Sequence, residues 1–141
     1  MKIAVIDGQG GGMGKAVIEK LRQVFGNDLP IIAFGTNALA AAIMIKAGAN
    51  EGASGENAIV TSVPGFDVII GSISILAANS MLGELTPRMA EAIADSRALK
   101  VLIPLNRCSI QIAGVRNEPL PHYIDDAAAI IKNYLEGKNN V

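Results

Sequence analysis

Short apolar runs alternate with amphipathic segments along most of this chain. Residues 2–6 form the first apolar run, and the segment Gly12–Phe25 places Met13, Val17 and Leu21 at the 3.6-residue spacing of a helix. Alternating strands and helices are typical of a parallel sheet that is covered by helices on both faces. We therefore predict an α/β fold, a three-layer Rossmann-like doubly wound domain whose mainly parallel sheet has five to six strands.

The bounds of the predicted elements come from these runs and from the turn residues between them. Strands are expected at residues 2–6, 31–34, 67–70 and 100–105, with an edge strand at 109–115. Helices are expected at residues 12–25, 38–47, 56–63, 86–96 and 123–135. A very short third strand lies within residues 49–55, or alternatively the strand is 58–63. The first alternative is favoured, because the short gap before residue 67 leaves no room for a parallel crossover.

One turn of the chain is unusually rich in glycine. The first predicted strand leads into Asp7, and five of the seven residues from Gly8 to Gly14 are glycines, followed by Lys15 and a helix. Glycine allows positive φ angles and lets backbone N–H groups approach an anion, while the helix N-terminus adds a partial positive charge. This combination predicts a phosphate cradle.

Two dinucleotide patterns can be compared with this turn. The fingerprint G-x-G-x-x-G fits Gly8 and Gly10 but has Met13 where the third glycine is required, so only a looser form ending at Gly14 is met. The variant G-x-x-x-G-x-G fits Gly8, Gly12 and Gly14, and it resembles the nucleotide loop of short-chain dehydrogenases and of other nicotinamide-binding Rossmann domains. This resemblance covers about fifteen residues and implies NAD or NADP as a candidate cofactor.

The glycine turn fits poorly to the Walker A loop, which binds nucleoside triphosphates. It would need glycine in place of Gln9 and serine or threonine in place of Ala16 to hold magnesium. Lys15 therefore does not indicate an ATPase, although it can still contact a phosphate from the first turn of the helix.

Ligands of open parallel sheets bind beyond the carboxyl ends of the strands. The second predicted strand ends in Gly35, Thr36 and Asn37, where an acid for NAD or an arginine for NADP would be expected and neither is found. The ligand is accordingly NAD, NADP or another nucleotide or phosphate-bearing molecule. The residues expected to contact it are Asp7, Gly8, Gln9, Gly10, Gly11, Gly12, Met13, Gly14, Lys15, Gly35, Thr36, Asn37, Gly71, Ser72, Asn106 and Arg107.

Catalytic residues are harder to identify. Arg107 follows the fifth predicted strand and can clamp a carboxylate or phosphate. Cys108 and Glu84 are weak candidates for nucleophile and base, because a lone cysteine is more often a buried apolar residue and Glu84 suits a surface or capping role.

Composition excludes several classes of function. The chain has 141 residues with 12 basic and 13 acidic side chains, so no basic surface for nucleic acid stands out. No apolar run is long enough to span a bilayer and no leader is recognisable, so we expect a cytoplasmic protein without membrane association. One cysteine and one histidine exclude an internal disulfide and disfavour a metal site. We expect a single nucleotide-binding domain over residues 1–136 and a frayed tail at 137–141.

The helix predicted at 38–47 has no charged residue before Lys46. A helix that is apolar on every face must be buried on every face, whereas a helix covering a sheet normally turns one face to water. We therefore expect its outer face to pack in a homodimer.

Over its whole length the chain resembles a family of short uncharacterised bacterial proteins. The resemblance rests on the motif Asp-Gly-Gln-Gly-Gly-Gly at residues 7–12 and on residues 35–37, 79–87 and 102–108. It implies a small bacterial cytosolic domain and adds no catalytic residue. The leading hypothesis is a sensor or accessory protein that binds a nucleotide or dinucleotide phosphate. The alternatives are a small enzyme acting on a phosphorylated or carboxylated metabolite held by Arg107, and a structural or partner-binding domain without ligand.

Overall fold

The structure is a computed structural model that describes residues 1–105 and 109–139. Its strands are β1 (Ile3–Asp7), β2 (Ile31–Gly35), β3 (Glu51–Ser54), β4 (Val68–Ser72) and β5 (Leu99–Ile103). Its helices are α1 (Gly12–Phe25), α2 (Ala38–Ala47), α3 (Glu56–Ser62), α4 (Pro87–Asp95) and α5 (Leu120–Asn139). Short 3₁₀ turns at Val63–Gly65 and Ile73–Leu76 flank β4.

The five strands form one parallel sheet in the order β3-β2-β1-β4-β5. The chain winds outward from β1 to β3, then returns to the other side of β1 for β4 and β5. The order therefore reverses between β1 and β4, and a crevice opens at such a switch point beyond the carboxyl ends of the strands. In register, Asp7 at the end of β1 lies beside Gly35 at the end of β2.

Two apolar cores lie on opposite faces of the sheet, as the alternation of side chains along a strand requires. Ile3 and Val5 of β1 pack with α1, α2 and α5, whereas Ala4 and Ile6 pack with α3 and α4. The arrangement confirms the three-layer Rossmann-like α/β fold with a parallel sheet, with five strands within the described residues.

The predicted strands and helices are largely confirmed, including the short β3 followed by α3. The prediction of a strand at residues 109–115 is wrong. Within this segment Ser109 and Gly114 have positive φ angles of 57° and 85°, and the Val115 N–H closes a turn onto the carbonyl of Ile112. Such turns are incompatible with the extended backbone of a strand.

Helix α5 is longer than the sequence pattern predicts. It begins at Leu120 rather than residue 123 and continues through Gly137 to Asn139. A glycine inside a helix costs only about 1 kcal/mol relative to alanine. Here Lys138 lies 3.7 Å from an Asp67 carboxylate oxygen and its ammonium lies 4.9 Å from the ring centroid of Tyr134. These contacts favour continuation of the helix.

Candidate functional site

The glycine-rich turn joins β1 to α1 within four residues. The Gly11 N–H donates to the Gly8 carbonyl at 3.0 Å, and Gln9 and Gly11 have left-handed φ angles of 51° and 74°. Helix α1 begins at Gly12, so its N-terminus points to the carboxyl edge of the sheet.

Asp7 holds this turn together. Its side chain is buried, with 7% exposed, and its Oδ1 accepts a hydrogen bond from the Gly8 N–H at 2.8 Å. Its Oδ2 accepts a second bond from the Gly14 N–H at 2.7 Å. A carboxylate near the first turn of a helix is also stabilised by the helix dipole. Asp7 is therefore a structural anchor as well as a wall of the site.

The five glycines of the turn fall into two groups. A Cβ on Gly8 would lie 2.4 Å from Thr36 Oγ1, and one on Gly14 would lie 2.4 Å from Met44 Sδ. A Cβ on Gly11 would lie 2.9 Å from the Cα of Ala40. These three glycines are required by close packing.

The other two, Gly10 and Gly12, have no such requirement. A Cβ at either position would meet no heavy atom within 4 Å, and neither residue has a positive φ angle. Within the described part of the chain, the N–H groups of Gly10, Gly12 and Met13 donate to no protein acceptor. Three backbone donors without a protein acceptor thus lie beside the cavity at a helix N-terminus, which is the arrangement of an anion site.

This open space is a cavity of about 450 Å³ at the switch point of the sheet. Its walls come from the exits of β1, β4 and β5, from the loop after the second 3₁₀ turn and from the start of α5. The lining residues are Asp7, Gly8, Gln9, Gly10, Gly11, Gly12, Met13, Ser72, Ser74, Met81, Leu82, Leu105 and Leu120. The volume lies within the usual range for small-molecule sites. No described lining residue is basic.

Two buried hydroxyl groups line the cavity at the end of β4. Ser72 and Ser74 are each 6% exposed, and their Oγ atoms hydrogen-bond to each other. Gly71, just before them, lies inside β4, where a Cβ would be 2.7 Å from the Ile6 carbonyl oxygen. Ser72 therefore lies where the sequence predicts a contact residue, and Gly71 has a packing role instead.

Glu84 connects three segments at the edge of the site. Its Oε1 accepts hydrogen bonds from the Gln9 N–H at 2.9 Å, from Thr36 Oγ1 at 2.6 Å and from Asn37 Nδ2 at 2.8 Å. These donors, Thr36 foremost, then Gln9 and Asn37, hold the pKa of Glu84 below its ordinary value. Three hydrogen-bond donors and a lowered pKa make Glu84 a weaker base, and they fit the surface or capping role that its sequence favours better than the role of general base.

Several predicted contact residues lie away from the cavity. Gly35 packs against α2, where a Cβ would be 2.4 Å from the Asn37 carbonyl oxygen. The Asn37 side chain also caps α2 by accepting from the Ala40 N–H at 2.8 Å. Lys15 lies 3.9 Å from Glu19 with its side chain 58% exposed. The exit of β2 therefore contributes no wall to this cavity.

The prediction for the exit of β5 can be followed only in part. Leu105 lines the cavity, whereas Asn106, Arg107 and Cys108 lie outside the described residues. Pattern analysis did not identify five lining residues: Ser74, Met81, Leu82, Leu105 and Leu120. Ser74 lies just after β4 and could have been included for that reason. The other four residues are apolar, and a search for glycine and polar residues at strand ends does not detect them.

The sheet order and the switch-point cavity define a Rossmann-like α/β protein with a candidate small-molecule site. The chain belongs to the family named domain of unknown function DUF3842, which matches residues 2–136. Among solved structures it is similar to a dodecameric FMN-dependent UbiX-like decarboxylase from Escherichia coli O157:H7, with a TM-score of 0.53 and 15% sequence identity over 96% of this chain and 95% of that chain. At this identity the likeness shows the fold alone. Comparison with curated proteins found no match.

No helix in the described residues is long and apolar enough to cross a membrane. The same residues contain no group of three or more histidine, cysteine or acidic side chains placed to hold a metal ion.

Proposed function

We propose that this protein is a cytoplasmic bacterial protein that binds a nucleotide through its phosphate in the switch-point cavity, in a sensor or accessory role. The observation that carries the proposal is the open space at Gly10 and Gly12. Packing and backbone angle give no reason for glycine at these two positions, whereas a bound phosphate does, because a side chain there would stand between the N–H donors and the anion.

Mononucleotides fit this cavity better than dinucleotides. In a dinucleotide site the adenosine ribose lies at the end of β2. Here Thr36 Oγ1 and Asn37 Nδ2 at that place donate to Glu84, and Asn37 Oδ1 accepts from the Ala40 N–H. The structural neighbour is an FMN-dependent enzyme, which supports a phosphate-bearing cofactor on this fold. NAD and NADP are the alternative ligands that the binding experiment distinguishes.

The experiment is calorimetric titration of the full chain with AMP, FMN, NAD and NADP, using Gly12→Val as the test variant. Two methyl groups at Gly12 would project into the cavity, so we expect at least a tenfold loss of affinity for the preferred ligand. The matched control is Gly65→Val, because a Cβ on Gly65 would also meet no heavy atom within 4 Å and this residue lies at an exposed 3₁₀ turn away from the cavity.

Two results would contradict the proposal. One is the absence of any binding by the unsubstituted protein, which would favour a structural or partner-binding domain. The other is equal affinity of the Gly12→Val and Gly65→Val proteins, which would place the ligand elsewhere. A clear preference for NAD or NADP over both mononucleotides would support phosphate binding and reject the mononucleotide assignment.

A second candidate function is a small enzyme that uses Arg107 to hold an anionic metabolite. The observation in its favour is that Leu105, two residues earlier, lines the same cavity. Under this hypothesis Arg107→Ala abolishes ligand binding, whereas under the first it lowers affinity only in part, because the backbone donors remain. Cys108→Ser then tests whether any turnover that is found depends on the thiol.

We also propose that a second copy of the chain covers the outer face of α2. Leu39 and Ile45 are 61% and 41% exposed there, although Ala40 and Met44 on the inner face are buried. The exposed edge strand β3 adjoins α2, and Lys46 and Glu51 provide charges of opposite sign that could pair across a two-fold axis. A homodimer would remove both the leucine and the isoleucine side chain from water.

Light scattering at high micromolar concentration tests this surface. We expect a dimer that Leu39→Glu converts to monomer, and no change for Ile130→Glu, whose side chain is 50% exposed on α5. A monomeric unsubstituted protein would overturn the proposal, and dissociation by Ile130→Glu alone would move the interface to α5.

A further inference from the structure

The walls of the switch-point cavity are chemically unequal. The turn between β1 and α1 supplies backbone donors, while the other segments supply mainly aliphatic or thioether side chains. The apolar lining side chains are Met13, Met81, Leu82, Leu105 and Leu120. Sugar phosphates and inorganic anions have no apolar part to cover such surface, so the lining is unsuited to them.

Leu82 is the most exposed of these side chains. It is 96% exposed at the rim of the cavity, more than any other large apolar side chain among the described residues. Single exposed apolar residues are common on protein surfaces. This one is unusual because its backbone is held in a conformation that leucine disfavours, with a φ angle of 56°.

The segment around Leu82 is fixed by its neighbours. Asn79 and Met81 also have left-handed φ angles, of 67° and 58°. The Asn79 N–H donates to the Leu85 carbonyl at 2.7 Å, and the Leu85 N–H donates back to the Ser80 carbonyl at 3.2 Å. Leu85 itself is fully buried in the core on the α4 face. Glu84 then ties the same segment to the glycine turn, so Leu82 is presented to the cavity by a fixed loop.

We infer that Leu82 is a contact for the flat heteroaromatic ring of the bound nucleotide, with the phosphate on the N–H groups of Gly10, Gly12 and Met13. This inference rests on the proposed function and deepens it, because it names the ligand class as a monophosphate with a large ring. A ring seated on Leu82 removes both its own face and the leucine side chain from water, and this burial favours binding.

The test compares phosphate-bearing ligands with and without a heteroaromatic ring, and AMP and ribose 5-phosphate form the closest pair. AMP and FMN carry a phosphate and a ring, whereas ribose 5-phosphate carries the phosphate and sugar alone. For the unsubstituted protein we expect a ring-bearing ligand to bind at least tenfold more tightly than ribose 5-phosphate. In Leu82→Ser the affinity for that ligand falls about tenfold, while the affinity for ribose 5-phosphate is unchanged.

Ile130→Ser is the matched control, since Ile130 is also an exposed aliphatic residue but lies on α5, outside both the cavity and the proposed α2 interface. It should alter neither affinity. Equal binding of ribose 5-phosphate and both ring-bearing ligands, or unchanged affinities in Leu82→Ser, would overturn the inference while leaving phosphate binding intact. Failure of these three ligands and of NAD and NADP to bind would reject the proposed function itself. A change of oligomeric state in Leu82→Ser with unchanged ligand affinity would show that Leu82 contacts a second copy instead.

Discussion

Removal of the Glu84 carboxylate should destabilise the fold, although Glu84 lies in an irregular segment. Its Oε1 accepts three hydrogen bonds of 2.6 to 2.9 Å, which connect the loop before α4 to the ends of β1 and β2. Hydrogen bonds to a charged group contribute about 1.5–3 kcal/mol each when buried. Glu84 is only half-buried and water can replace part of each bond, so we expect a total of about 2 kcal/mol for Glu84→Ala.

The pH dependence gives a sharper form of the same prediction. The hydrogen bonds hold the folded-state pKa of Glu84 below its ordinary value of 4.5. A carboxyl group with a lowered folded pKa contributes stability that is complete above the unfolded pKa and is lost as the pH falls through the folded pKa. The difference in unfolding free energy between the unsubstituted protein and Glu84→Gln should therefore be constant from pH 7 to about pH 5 and shrink below 4.5.

Urea unfolding followed by circular dichroism at fixed protein concentration measures both effects. Glu19→Gln is the matched control, because Glu19 is an exposed carboxylate whose partner Lys15 lies 3.9 Å away, and it should change stability by less than about 0.5 kcal/mol. Equal stability of Glu84→Ala and the unsubstituted protein would refute the conclusion that Glu84 stabilises the fold by connecting the loop before α4 to the ends of β1 and β2. A difference that persists unchanged well below the ordinary pKa would refute the electrostatic part.

Four further substitutions test the packing of the glycine turn and the hydrogen bonds that Arg22 makes far from it. Gly8→Ala should lower the unfolding free energy by about 1–3 kcal/mol in urea, since its methyl group would lie 2.4 Å from a hydroxyl oxygen, whereas Gly10→Ala should cost nothing. Asp7→Asn should cost about 1–3 kcal/mol, because an amide cannot accept from both N–H groups that the carboxylate now binds, and equal stability would contradict its role as anchor. Arg22→Ala should lower the thermal midpoint by several degrees at a cost of about 2 kcal/mol, since its guanidinium bonds two loop carbonyls at 2.7 and 2.9 Å; a shift below one degree would show that these bonds are dispensable.

Sequence reasoning succeeded where the signal was local. Helix α2 has the predicted bounds, and Asn37 caps it by accepting from the backbone N–H of Ala40 at 2.8 Å. The apolar run that predicts β1 and the helical spacing of apolar residues that predicts α1 are likewise each contained within one short segment. These elements depend on short-range periodicity and capping, which the sequence displays directly.

The same reasoning was less successful near the β5 edge of the sheet. The alternation of residues 109–115 suggests a strand, yet Gly114 has a φ angle of 85° and the segment turns instead. Alternation alone is not sufficient, because a strand also needs a neighbouring strand with open hydrogen-bonding groups in reach. Whether such an edge is reachable depends on the connection from β5, and this is a tertiary property.

The order of residues along the chain is enough to predict the α/β class, the glycine turn and the strand ends from which a site could be built. Which strand ends share a cavity depends on contacts between distant segments: Glu84 accepts hydrogen bonds from Thr36 and Asn37, 47 residues or more away, and these bonds occupy the end of β2. The folded chain also distinguishes Gly8, which is closely packed, from Gly10, which adjoins open space, although both are glycines of the same turn. Contacts of this kind depend on the sheet order, and no local pattern encodes that order.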